Sequence, residues 1–256
     1  MLYGLAVGGL YLVQDGILFP RSIAERPHSP LPAAAERLEL RSAEGQRLFG
    51  TLLRAQGRSR GLVLGFPGNA WNADDHAVFL AHRLPDFDVV VFHYRGYAPS
   101  EGEPGEAALF ADALLIHDMA TDRLQPRRVL AAGFSLGSGV AAYLASRRPV
   151  DGLVLATPFD SIEAIAASRY AWAPVRSLLR HPFRSDLHLR ELEVPAAVLM
   201  AEDDRVVPRE RSLALIQVLR RPVMVETLPG THNGIYETAA LDAALRRAVE
   251  AVMRAG

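Results

Sequence analysis

Six short apolar runs, over residues 61–66, 88–93, 128–132, 152–156, 196–201 and 222–228, recur along this chain, and helix-patterned stretches separate most of them. Runs so short and so uniformly apolar suit strands buried on both faces. Their alternation with helices is satisfied by a mostly parallel sheet covered on both sides. Helices are expected over about 74–84, 103–123, 135–147, 209–219 and 235–254. Ahead of this series, residues 37–40 and 47–54 flank the turn-forming Ala43-Glu44-Gly45-Gln46 and read as an antiparallel pair, which brings the expected sheet to eight strands. At 256 residues, half of them hydrophobic, the chain can bury one sizeable core.

The third buried run leads into Gly133-Phe134-Ser135-Leu136-Gly137, and an Ala-rich helix follows directly. A Gly-x-Ser-x-Gly sequence between strand and helix has the form of a sharp turn that lifts the serine at the strand's C-terminal end. The flanking glycines let strand and helix approach closely. Ser135 is therefore the candidate nucleophile. Such pentapeptides also recur by chance, so the reading depends on an acid and a histidine arriving at neighbouring strand ends.

Both arrive. Glu202-Asp203-Asp204-Arg205-Val206-Val207-Pro208 follows the fifth buried run, and Pro208 marks the start of the next helix. Pro229-Gly230-Thr231-His232-Asn233-Gly234 follows the last strand, in a loop rich enough in glycine to hold His232 over the serine. The other seven histidines, His28, His76, His82, His93, His117, His181 and His188, read as surface, capping or packing residues, and none makes a metal-binding spacing. Acyl transfer also needs two backbone N–H groups aimed at the developing oxyanion. Leu136 supplies one, directly after the nucleophile. Asn69 in the loop Pro67-Gly68-Asn69-Ala70-Trp71-Asn72 supplies the other.

Composition removes several rival chemistries. All 28 basic residues are arginine, so a phosphate-loop lysine and a Schiff base are excluded, and the absence of cysteine excludes thiolate nucleophiles and Cys-ligated zinc. A net charge of −1, with no Arg-rich run interleaved with aromatics, argues against a nucleic-acid partner.

Two regions fall outside the regular alternation. Residues 1–13 are nearly all apolar or small, yet at that length they fall short of the roughly 20 residues a spanning helix needs. They also lack the basic start and cleavage site of a signal peptide. The segment reads equally as a helix or strand docked on the body or as the remnant of a membrane anchor, through which peripheral membrane association would follow; localisation stays open between cytoplasmic and membrane-associated. A Pro-rich connector over 26–32 separates residues 1–35 from the catalytic body, 36–256. The second region, about 157–194, is rich in Ala, Arg and aromatics and is punctuated by Pro158, Pro174 and Pro182. It reads as a small helical cap whose Phe159, Tyr170, Trp172 and Phe183, with Trp71 from the earlier loop, line an apolar substrate pocket.

On these motifs the chain from about Glu36 resembles the α/β-hydrolase family, and within it the membrane-associated branch of lysophospholipase-like and depalmitoylase-like serine hydrolases. That branch carries His-Gly-Asn-Ala in its first loop, where this chain has Pro67-Gly68-Asn69-Ala70. It carries Tyr-Arg-Gly-Tyr-Gly-x-Ser after the next strand, where this chain has Tyr94-Arg95-Gly96-Tyr97-Ala98-Pro99-Ser100. The acid loop, Gly-x-x-Asp-x-x-Val-Pro, is matched by residues 201–208 with Ala201 in place of the glycine. The resemblance implies a Ser135, Asp204, His232 triad, no cofactor and no metal, and a structural role for Arg95 and Asp112. Pro67 lacks the N–H and imidazole that would brace the oxyanion loop.

The reaction implied is hydrolysis of carboxylic esters, lipid-like esters or acyl thioesters among them, through an acyl-enzyme. A peptidase or amidase of the same fold, and a binding protein on a hydrolase scaffold, remain as alternatives.

Overall fold

The computed structural model describes residues 2–25 and 30–256; the greater part of the expected connector lies outside the described residues. Eight strands form one sheet: β1 (Glu36–Arg41), β2 (Arg47–Leu53), β3 (Leu62–Phe66), β4 (Asp88–Phe92), β5 (Val129–Phe134), β6 (Gly152–Ala156), β7 (Ala196–Asp203) and β8 (Pro222–Thr231). Their spatial order is β1-β2-β4-β3-β5-β6-β7-β8. β1, β2 and β4 pair antiparallel, and every pairing from β4 through β8 is parallel.

Among the described residues ten α-helices accompany them: α1 (Leu2–Leu18), α2 (Arg21–Ala24), α3 (Ala73–Arg83), α4 (Glu106–Leu124), α5 (Leu136–Arg147), α6 (Ile162–Arg169), α7 (Val175–Leu178), α8 (Ser185–Leu189), α9 (Arg209–Val218) and α10 (Ala239–Ala255). The period of two in the strands divides the core cleanly. Leu62, Leu64 and Phe66 pack to one side with Leu109 of α4 and Val140 of α5. Val63, Val154 and Ala156 pack to the other with Leu80 of α3 and Leu245 of α10. Both faces of β3, β5 and β6 are thus taken out of water, which is why these strands read as unbroken apolar runs.

Local signals set the boundaries. Asn72 caps α3, its side-chain oxygen accepting from Asp74 N at 2.9 Å, and Thr238 caps α10 by accepting from Leu241 N at 3.2 Å. That cap divides the expected 235–254 helix into a 3₁₀ turn, Gly234–Glu237, and α10 proper. Likewise α4 starts at Glu106 rather than at 103, because Pro104-Gly105 precedes it. Arg95 bonds both oxygens of Asp112, at 3.0 and 2.5 Å, and reaches Glu44 at 2.9 Å, tying the loop after β4 to α4 and to the β1–β2 turn.

The N-terminus departs most from expectation. The helix does not stop at residue 13 but runs through Gln14 and Asp15 to Leu18, where Phe19 and Pro20 interrupt it before α2. Leu2–Ala24 is long and apolar enough to cross a membrane by length and composition, so shortness no longer excludes a span. It is not a detached appendage either. Gln14 Oε1 accepts from Arg180 N at 2.9 Å and Gln14 Nε2 donates to Leu178 O at 3.3 Å, so α1 lies along the segment between β6 and β7 that carries α6, α7 and α8.

Candidate active site

The turn after β5 is built from close approaches that only glycine permits. A Cβ on Gly137 would fall 2.0 Å from the Phe66 carbonyl oxygen, and one on Gly133 would fall 2.5 Å from the Gly137 carbonyl oxygen. Between them Ser135 is held at φ 50°, ψ −119°, a conformation that costs a non-glycine residue on the order of 1–3 kcal/mol. Its surroundings enforce that geometry. Ser135 N donates to Ala156 O at 2.9 Å, and Ser138 Oγ donates to Ser135 O at 2.6 Å. The hydroxyl is thereby raised at the C-terminal edge of the parallel sheet.

The loops after β7 and β8 meet it there. His232 Nε2 lies 2.9 Å from Ser135 Oγ, and His232 Nδ1 lies 2.7 Å from Asp204 Oδ2. The second Asp204 oxygen accepts from the backbone N–H groups of Val206 and Val207, at 2.9 and 2.8 Å. The acid therefore has both oxygens occupied and little freedom to turn, and its side chain and that of His232 are both buried. Asp203, one residue earlier, is exposed on the last position of β7. Such an arrangement can take a proton from the hydroxyl and hold the resulting imidazolium against a carboxylate.

Asn69 and Leu136 border the same cavity as Ser135. Gly68 brings the loop after β3 against Ser135, since a Cβ there would lie 3.6 Å from Ser135 Cβ. The bracing that Pro67 cannot give comes from elsewhere. Tyr94 Oη donates to Pro67 O at 2.8 Å, and Asn69 Nδ2 donates to Leu18 O at the end of α1 at 2.7 Å.

Above Ser135 lies a cavity of about 230 Å³ with predominantly apolar walls. Phe159 and Tyr170 border it, together with Ile162 and Ile165 of α6, while Val7, Leu10 and Gln14 of α1 form a further side. The expectations for Phe183 and the two tryptophans are corrected: Phe183 is fully buried and packs edge-on to Phe110 of α4 at 5.4 Å instead of bordering the cavity. Trp71 turns beneath the elbow and packs at 4.7–5.8 Å against His76, Phe79, Phe134 and Tyr236. Trp172 is half exposed and meets the edge of Tyr3 on α1, away from the cavity. The α1 residues were missed because the run 1–13 was read apart from the body.

Two set-aside histidines also have defined places. His76 is wholly buried without a hydrogen-bond partner, and burial pushes it down to about 3, so it stays neutral. His181 borders the cavity and contacts Asp15 at 3.3 Å; burial lowers its pKa against the raising influence of that carboxylate. Among the described residues there is no group of three or more His, Asp or Glu side chains arranged to hold a metal ion.

The family profile of the alpha/beta hydrolase fold matches residues 62–175. An uncharacterized protein of Mycobacterium tuberculosis is 33% identical over 211 residues, which cover 80% of this chain and 74% of that protein. The lysophosphatidylserine lipase ABHD12 of Danio rerio is 33% identical over 171 residues, or 59% of this chain, but the match spans only 45% of the lipase. Among solved structures, an alpha-beta hydrolase from Vibrio vulnificus superposes with a TM-score of 0.72 at 18% identity, covering 94% of this chain and 93% of that one. An eight-stranded, mostly parallel sheet, an elbow at Ser135 and relatives of this kind lead to one assignment: the chain belongs to the α/β-hydrolase family.

Proposed function

We propose that the protein is a serine hydrolase that cleaves carboxylic esters of apolar acyl groups through an acyl-enzyme on Ser135. The observation that carries this reading is the run of contacts from Ser135 Oγ through His232 to Asp204, at 2.9 and 2.7 Å, at the base of an apolar cavity. In the first half-reaction His232 Nε2 takes the hydroxyl proton as Oγ attacks the acyl carbonyl. The tetrahedral oxyanion is received by the N–H groups of Leu136 and Asn69, and collapse expels the alcohol, which takes its proton from His232. In the second half-reaction water, deprotonated by the same nitrogen, releases the acid and regenerates the hydroxyl. Asp204 holds Nδ1–H so that Nε2 remains the basic nitrogen. Residues 36–256 would carry this chemistry, with 157–194 as the cap.

The relatives include a lysophosphatidylserine lipase, and a lipid-like ester suits both the apolar cavity and the exposed apolar side chains of α1, Leu2, Leu5 and Leu12. The test is labelling by a fluorophosphonate probe, followed by a series of p-nitrophenyl esters of rising chain length beside peptide amides. Labelling lost in Ser135→Ala, with esters turned over and amides not, is the expected result. A Ser135→Ala protein that labels and turns over like the parent would place the nucleophile elsewhere.

A further inference from the structure

Helix α1 bears on the cavity through one stripe. Val7, Leu10, Gln14 and Leu18 follow at spacings of three and four, border the same space as Ser135 and are half-buried, whereas Leu2, Leu5 and Leu12 face outward. No residue of α1 is fully buried, so burial in the core does not by itself explain its position.

Directional contacts account for it. Gln14 uses both ends of its amide on the backbone at the end of α7, donating to Leu178 O and accepting from Arg180 N just beyond it. Asp15 accepts from the Arg180 guanidinium at 2.5 Å, and that guanidinium lies 4.3 Å from the centre of the Tyr11 ring. Leu18 O accepts from Asn69 Nδ2 in the loop beside Ser135. These contacts set the stripe over the cavity at one depth. An apolar stripe held over an apolar space is complementary to an apolar ligand such as an acyl chain.

We infer that α1 is a wall of the acyl-binding site, and that Leu10, with Val7 one turn earlier, determines the length of acyl chain the site accepts. This rests on the reading of Ser135 as nucleophile for its link to turnover, but not for binding. The wall makes the N-terminal helix part of the substrate site. The tie from Leu18 to Asn69 means that the helix that bounds the chain also braces the oxyanion loop.

The test uses the full chain and reads binding apart from chemistry. Decanoate is titrated calorimetrically into the parent and into Leu10→Trp, Val7→Trp and Trp172→Ala, with circular dichroism as the check on folding. Ratios of kcat/KM for p-nitrophenyl decanoate over acetate are then taken on the same proteins. A bulky ring at position 10 or 7 is expected to weaken decanoate at least tenfold and to lower the ratio by a similar factor, while Trp172→Ala changes neither. Decanoate that fails to bind the parent, or that binds both tryptophan variants as it binds the parent, would overturn the inference. Binding that follows this pattern in a protein that no fluorophosphonate labels would leave the wall standing and remove the nucleophile.

Discussion

The elbow below the cavity and the helix beside it are held by opposite means. Ser135 stands on a strand with every residue buried, between glycines whose neighbours leave no room for a methyl group. Helix α1 has no buried residue and is positioned by a few polar contacts at half-exposed sites. On the proposed reading, reaction geometry that must hold within tenths of an ångström is thus built from dense packing at sheet ends. The surface inferred to select an acyl group belongs instead to a docked element that can vary in sequence without disturbing the sheet.

Ser135→Ala tests the rigid half with the largest effect. Removal of one oxygen from a well-packed elbow should leave the circular dichroism spectrum and the melting temperature near the parent's while turnover falls by about 10⁶. Asp204→Asn should follow, lowering kcat by about 10⁴ through the wrong histidine tautomer, whereas Asp203→Asn retains most activity. Steady-state kinetics of the two asparagine variants side by side would reverse the assignment if Asp203→Asn were the inactive one.

Gly137→Ala asks whether the elbow is as tightly packed as its contacts imply. The added methyl would meet a backbone oxygen at 2.0 Å, which cannot move aside as a flexible side chain would. A loss of about 1–3 kcal/mol, read as a melting temperature lower by several degrees, should accompany reduced fluorophosphonate labelling. An alanine variant with the parent's melting temperature would show that strand and helix can separate there.

The body also carries a pH signature. Burial raises the Asp74 carboxyl, but hydrogen bonds from Thr51 at 2.6 Å and Arg37 at 2.8 Å, with the His93 ring 3.5 Å away, outweigh it and hold the group well below the usual carboxylate range. A pKa depressed in the folded state contributes stability in full above the unfolded value, near 4, and loses it as pH falls toward the folded one. Asp74→Asn should therefore cost roughly 1–3 kcal/mol at neutral pH and flatten stability below about pH 4, as measured by urea melts at several pH values. The pair that Arg180 makes with Asp15 of α1, with both side chains about a third exposed or more, is a solvent-screened ion pair that adds little stability.

How much of this was legible in the sequence follows the same division. The runs that form β3, β4, β5, β6 and β7 could be read because both-sided burial leaves an unbroken apolar string, whereas the sixth, expected to be buried as well, forms the edge strand β8 in which only Leu228 is buried; Gly133 and Gly137 announce a close approach. Val207-Pro208 fixed the acid loop well enough to single out Asp204, the residue brought to His232. The length of α1 could not be read, because Gln14 and Asp15 look like the polar end of an apolar run. They are polar because Leu178 and Arg180 lie across from them, more than 160 residues away in sequence. No local pattern encodes that meeting. For Trp71 and Trp172 the sequence could give the apolar character but not the side to which each ring turns.

The smallest effect separates two neighbouring aromatics that sequence could not tell apart. Tyr170 borders the cavity, whereas Trp172, two residues on, rests its ring against Tyr3 and accepts the Tyr3 hydroxyl at its carbonyl at 3.1 Å. Tyr170→Ala should shift relative kcat/KM between short and medium acyl esters about tenfold, the low end of what one lost pocket contact supplies. Trp172→Ala keeps the carbonyl and loses only an exposed edge contact, so its chain-length profile should match the parent's and its melting temperature should move by no more than about a degree or two. If Trp172→Ala changed the profile as much as Tyr170→Ala does, the far side of α1 would have to reach the substrate. The division between a docked wall and an outer face would then fail.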